Sequence, residues 1–224
     1  MDVITEYIEN VRSILSRVLN TQKQGLEACA QRLAQATLSG HSIFAFGCSH
    51  AGLLALEMYY RSGGMATINP VRAAGLCLDI DPATMTSQME RLPEYGRLII
   101  DNLPLGKDDV ILIHSVSGRN TVTVDAALRA REKGAYVIAL TSMGSNPLRE
   151  MADVVLTLTT RERLYSKVAG FTSELSIKLV LDTLYGCLYV RHADAFAQAK
   201  EQVSRHAEPG RTSDSAILRE AGDA

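Results

Sequence analysis

The chain opens with apolar residues at three- and four-residue spacing: Val3, Ile4, Tyr7, Ile8, Val11, Ile14, Leu15, Val18 and Leu19. That period gathers them on one side of a helix and predicts an amphipathic helix over residues 2–19. A second helix is expected over 21–38, closed by Gly40 after Ser39. The pattern then shortens into apolar runs. Residues 42–47, ending Phe44-Ala45-Phe46-Gly47, read as a buried strand. Residues 50–62 read as a helix stopped by Gly63-Gly64, and 66–71 as a second strand with Pro70 near its end. A short helix around Ser87–Leu92 and another over Glu94–Asn102 precede the clearest strand, Val110–His114. The helix Thr121–Lys133 stops at Gly134, strands follow near 135–140 and 153–158, and a long helix spans 173–192. Beyond about residue 197 the chain turns polar, with one further helical turn expected at Ala216–Glu220.

Short strands alternating with helices predict an α/β fold: a three-layer sandwich whose five-stranded parallel sheet carries helices on both faces. The organisation expected is a helical extension over 1–40 packed on the core, one domain over 41–196, and a polar tail over 197–224.

Composition narrows the partners. Hydrophobic residues make up 46% and charged residues 21%, which suits a soluble globular protein. A net charge of −2 sets up no broad field for nucleic acid or an anionic membrane, so neither is expected as a partner. Asp2, Glu6, Glu9, Arg12 and Arg17 break up any leader-like apolar run at the start, and no stretch approaches the roughly 20 apolar residues of a membrane span. Cys29, Cys48, Cys77 and Cys187 form no CxxC pair. Free thiols in a reducing cytosol are expected, with no zinc site and no disulfide framework.

The chemistry concentrates where strands end. In parallel sheets ligands bind beyond the carboxyl ends of the strands. Three such ends are rich in hydroxyls: Gly47-Cys48-Ser49-His50, Ser115-Val116-Ser117-Gly118-Arg119-Asn120-Thr121, and Thr141-Ser142. The middle one leads directly into a helix. The first N–H groups of a helix lack intrahelical partners, and the macrodipole adds about half a positive charge there. Gly118 lets the backbone turn tightly or approach an anion closely. This is a phosphate cradle without a lysine; neither the Walker spacing nor the dinucleotide glycine fingerprint is present, and no cofactor is expected. Ser117, Asn120 and Thr121 can also simply cap the helix.

The segment ILIHSVSGRNTVTVDAALRAREKGAYVIALTS resembles the signature of sugar isomerase (SIS) domains, and IFAFGCSHAGLLALEMYYRSGG looks like that family's first loop. The stretch EMYYRSGGMATINPV is similar to a bacterial subgroup of SIS proteins labelled phosphoheptose isomerases. The resemblance covers about residues 40–190 and implies a flavodoxin-like SIS domain that binds a phosphorylated sugar. It implies phosphate contacts from Ser49, Ser115, Ser117 and Gly118, with Asn120 standing where many members have threonine, Thr121 partly replacing it, and Ser142 adding a hydroxyl. Phosphoheptose isomerases carry a metal-binding His and Glu on the helix after the first loop. Ala55 and Tyr59 stand at those positions, which argues against that zinc site.

Aldose–ketose isomerisation needs a base to move a proton between C1 and C2 and a group to open the ring. Glu174 opens the long C-terminal helix, where SIS isomerases often place their catalytic glutamate. Equally it is a carboxylate favoured in a first helical turn. Glu57 is the second candidate, with a salt bridge to Arg61 as the structural alternative. Lys178 can pair with Glu174 or meet a phosphate. His50, beside Ser49, can open a ring at neutral pH; His114 is a weaker candidate for the same step. Isomerase, sugar-phosphate lyase or deglycase, and non-catalytic sugar-phosphate sensor all remain open. A homodimer or homotetramer is expected, because the long amphipathic helices exceed what one small sheet covers.

Overall fold

A computed structural model describes residues 2–59, 64–142, 144–158 and 173–206. The five strands are β1 (Ile43–Gly47), β2 (Ile68–Pro70), β3 (Val110–His114), β4 (Tyr136–Ser142) and β5 (Val154–Leu158). The helices, in chain order, are α1 (Val3–Leu38), α2 (His50–Glu57), α3 (Met85–Met89), α4 (Tyr95–Asp101), α5 (Thr121–Glu132), α6 (Pro147–Met151), α7 (Ser173–Arg191) and α8 (Ala193–His206). All strand pairs are parallel, in the order β2-β1-β3-β4-β5. This is the flavodoxin-like doubly wound order, whose reversal between β1 and β3 opens a crevice at their carboxyl ends. The α/β three-layer architecture expected from the pattern is the one observed.

Strand alternation builds two separate cores. Ile43, Ala45, Val110, Leu112, Ile138 and Leu140 face α1, α2, α7 and α8. Phe44, Phe46, Ile111, Ile113, Val137 and Ala139 face α4, α5 and α6. Over these residues the three central strands β1, β3 and β4 are therefore apolar on both faces, and their runs carry no polar interruption.

The N-terminus corrects the two-helix expectation. α1 is one helix of 36 residues, about 54 Å long at 1.5 Å per residue. No proline interrupts the stretch, and just past the exposed Asn20 the helix is held against the sheet. Gln22, buried among its neighbours, accepts a 2.7 Å hydrogen bond from the N–H of Thr157 on edge strand β5. A Cβ on Gly25 would stand 3.2 Å from Leu156, so the helix lies close on the strand there. Asp2 caps the start by accepting from the Thr5 N–H. At the end, Gly40 N–H and His41 N–H donate to the Thr37 and Ala36 carbonyls, a Schellman closure.

Two helices escaped the sequence reading. α6 begins Asn146-Pro147, an N-cap followed by proline at N1, and Asn146 Oδ1 accepts from Arg149 N–H at 2.9 Å. The polar stretch after residue 197 continues α8 to His206, held by Ala195 and Ala199 buried in the core cluster that includes α1. The turn expected at Ala216–Glu220 lies outside the described residues.

Candidate functional site

The strand ends after β1, β3 and β4 meet around a cavity of about 340 Å3. From β1 come Cys48, Ser49, His50 and Ala51; from β3 and the start of α5 come His114, Ser115, Val116, Ser117, Asn120 and Thr123; from β4 comes Ser142. Of the expected phosphate contacts, Ser49, Ser115, Ser117, Asn120 and Ser142 thus share one wall system. Gly118 and Thr121 do not line it.

The first loop is tight because α2 starts almost on top of β1. A Cβ on Gly47 would come within 2.6 Å of the Ala51 backbone, so only glycine fits. Ser49 then adopts φ 56° and ψ −128°. A side chain pays heavily for that region, and such strain collects at functional sites. The conformer is pinned by the Ser49 N–H donating to the Leu76 carbonyl at 2.8 Å. Although Ser49 is the N-cap of α2, its hydroxyl makes no capping bond. It remains on the cavity wall.

The second loop is organised from behind. Gly118 has φ 63°, and a Cβ there would overlap the Asn146 side-chain oxygen and come within 2.7 Å of Thr141 Oγ1. Its close approach is therefore to Asn146 and not to a ligand. Gly118 N–H donates to the Ser115 hydroxyl (3.2 Å) and Arg119 N–H to the Ser117 hydroxyl (3.3 Å). Arg119 turns its guanidinium to the Ser145 carbonyl at 3.0 Å. Arg149 donates to the Ser142 carbonyl and to Thr157 Oγ1, bracing the third strand end.

The N-cap of α5 is the decisive local feature. Asn120 makes no side-chain capping bond. Its Nδ2 donates instead to Glu90 Oε2 at 3.0 Å. The simple capping alternative therefore fails at Asn120. Val122 N–H is taken by the Glu90 carbonyl (3.2 Å), while the N–H groups of Asn120, Thr121 and Thr123 have no backbone partner among the described residues.

The acid–base candidates are placed unequally. His50 lies exposed at the cavity. His114 is buried beneath it, with Nδ1 3.2 Å from the Ala51 carbonyl, so that nitrogen carries the proton. Glu57 is exposed, and its carboxylate meets Lys178 Nζ at 2.9 Å, so its ion pair runs to α7. Lys178 also meets Asp182 at 2.7 Å. Glu174 falls in the first turn of α7, and its side chain lies outside the described residues, as does Arg61. Cys48 is pushed up to about 12, first by burial and then by the nearby Glu90 and Cys77, so it is a protonated wall residue and no nucleophile. Among the described residues no group of three His, Cys, Asp or Glu side chains is placed to hold a metal ion, and no helix is long and apolar enough to cross a membrane.

Sequence reasoning missed Cys48, Val116 and Thr123 as wall residues. Thr123 had a signal, since N3 of a helix lies beside its N-cap. It also missed Glu90, for which no local spacing points to Asn120.

A family model described as SIS domain matches residues 6–142. The chain belongs to the SIS domain family. The family match begins inside α1 and ends at the third strand end, so it includes all three loops of the cavity. A UPF0309 protein of Oceanobacillus iheyensis is 41% identical over 143 residues, covering 64% of this chain and 58% of that protein. The chain therefore matches less than two thirds of that relative's length. A phosphoheptose isomerase from Francisella tularensis superposes with a TM-score of 0.62 at 17% identity, over 83% of this chain and 95% of that one. The sugar isomerase domain of an RpiR transcription factor from Sphaerobacter thermophilus gives 0.62 at 22% identity, over 92% and 99%. At these identities the likeness is one of fold.

Proposed function

We propose that this SIS domain binds a phosphorylated sugar, with the phosphate against the loop Ser115–Thr121, Ser49 and Ser142, and that it catalyses aldose–ketose isomerisation. The observation that carries the reading is the uncapped first turn of α5 opening on a hydroxyl-lined cavity. A phosphate there gains charge-assisted hydrogen bonds from amides and hydroxyls, each roughly 1.5–3 kcal/mol. Family membership supports the ligand class, and a fold neighbour is named as an isomerase of a phosphorylated heptose.

In this reading His50, at the cavity, passes the proton that opens the ring. A carboxylate then moves the proton between C1 and C2. Glu174 is the first assignment, because Glu57 is already engaged by Lys178. That same engagement favours a second reading, a sensor that binds the sugar phosphate without turning it over. A fold neighbour from a transcription factor is consistent with it. Lyase or deglycase chemistry shares the proton abstraction and is the remaining alternative. We further assign the protein to the cytoplasm, which suits four free cysteines, and to a homodimer or homotetramer.

Calorimetry with sugar phosphates and their unphosphorylated parents tests the reading. Ser117→Ala should weaken a phosphorylated ligand by about tenfold or more, and the parent sugars should bind poorly to both forms. Equal binding of phosphorylated and plain sugars, or a confirmed ligand held normally by Ser117→Ala, removes the cradle. Conversion of a bound aldose phosphate, followed by NMR, separates isomerase from sensor.

A further inference from the structure

We propose that Glu90 is the positioning residue of this cavity, holding the Asn120 side chain off the first turn of α5 so that the Thr123 N–H stays open to a ligand. The inference rests on the anion-binding reading of that turn. An asparagine at an N-cap ordinarily folds its side-chain oxygen onto the N–H of N2 or N3, and few residues do so more readily. Asn120 has the extended backbone of a normal N-cap, φ −63° and ψ 127°, yet forms no such bond.

Glu90 blocks both options. Its main-chain carbonyl occupies the N2 amide, Val122, at 3.2 Å. Its side-chain Oε2 takes the Asn120 Nδ2 proton at 3.0 Å. An ionised carboxylate only accepts hydrogen bonds, so it selects the NH2 end of the Asn120 amide and turns the capping oxygen away. The N3 amide, Thr123, is left without a backbone partner among the described residues, and the Thr123 and Asn120 side chains both line the cavity.

Glu90 is delivered by α3. It is that helix's C-cap, with its N–H donating to the Thr86 carbonyl at 2.9 Å. Its side chain is half-buried, with its carboxyl raised above the ordinary range by burial. The charge of the neighbouring Arg91 offsets only part of that cost. A carboxylate retained there against its own desolvation fits a role in orienting Asn120 better than one in holding α3 to α5, which the backbone bond from Val122 already does.

The test uses the full chain and inorganic phosphate, titrated by calorimetry. Glu90→Ala frees Asn120 to cap Thr123 and should weaken phosphate by about tenfold or more. Glu90→Gln keeps an acceptor for Asn120 and should stay within about threefold of the wild type. The double variant Glu90→Ala/Asn120→Ala removes the intruding cap and should bind more tightly than Glu90→Ala alone, a recovery that mere loosening of α3 does not produce. Amide exchange by NMR reads the same switch without ligand: Thr123 N–H exchanges fast in the wild type and is protected in Glu90→Ala. Unchanged phosphate affinity in Glu90→Ala, a loss in Glu90→Gln as large as in Glu90→Ala, or a double variant no better than Glu90→Ala overturns the proposal. If the wild type itself binds no phosphate, the anion reading falls, and the Thr123 exchange rates alone decide Glu90.

Discussion

Replacing Gly118 by alanine should disrupt the cradle from behind, and the cost can be worked from the geometry. Gly118 sits at φ 63°, where an L side chain costs about 1–2 kcal/mol. The added Cβ would also overlap the Asn146 side-chain oxygen and lie within 2.7 Å of Thr141 Oγ1. Asn146 cannot swing aside cheaply. It is buried, caps α6 through Arg149 N–H at 2.9 Å, and donates to Thr141 Oγ1 at 3.2 Å. Losing that cap adds about 0.5–2 kcal/mol, for a total of roughly 1.5–4 kcal/mol. With an m-value of about 2 kcal/mol/M, the urea midpoint should fall by about 0.75–2 M. In an Asn146→Ala background the clash with the amide and the lost cap are gone, so the same glycine substitution should cost the backbone strain of about 1–2 kcal/mol and whatever the remaining contact with Thr141 Oγ1 adds, less than in the wild type. Urea unfolding of the four forms measures both numbers. A midpoint shift below about 0.3 M for Gly118→Ala, or an unchanged cost in the Asn146→Ala background, refutes the argument that this glycine exists for the approach to Asn146.

Three further outcomes are expected. Glu174→Gln should keep ligand binding and lower turnover by about a hundredfold or more, with Glu57→Gln nearly normal; unchanged turnover in both removes the carboxylate mechanism. Burial raises the Glu90 carboxyl, so the folded state holds its proton longer than the unfolded chain. Stability from this group is therefore complete below the ordinary carboxylate range and lost as pH rises through the folded value; melting curves should show Glu90→Gln gaining on the wild type from pH 4 to pH 7, and a difference that stays constant or moves in the wild type's favour contradicts it. Ile4, Ile8, Leu15 and Leu19 are exposed along α1, and at 3.6 residues per turn they fall within a stripe of about 60°. Light scattering should find a homodimer or larger, and Ile4→Asp with Leu19→Asp should dissociate it; a wild-type monomer at micromolar concentration counts against the assembly.

What the sequence determined by itself was the layer order and the grouping of hydroxyls beyond the strand ends. Apolar runs such as Val110–His114, bounded by polar residues and alternating with helical periods, admit little except a parallel sheet covered on both faces. Parallel strands put their carboxyl ends together, so Ser49, Ser115, Ser117 and Ser142 were legible as neighbours, and they line one cavity. Family resemblance in the same loops pointed the same way, and the family match over residues 6–142 agrees with it. Local signals were weaker where a long contact decides the outcome. No residue near Asn20 shows that α1 runs unbroken, because what carries it through is Gln22 against Thr157, 135 positions away. The polar composition after residue 197 hid α8, whose few buried alanines matter only once α1 is beside them. Tertiary structure alone decided the state of the cradle. Asn120 reads from sequence as an ordinary N-cap, a purely local preference of about 1 kcal/mol. Glu90, thirty residues earlier, overrides it by offering that side chain a charged acceptor, and such a partner is visible only when α3 and α5 are packed together.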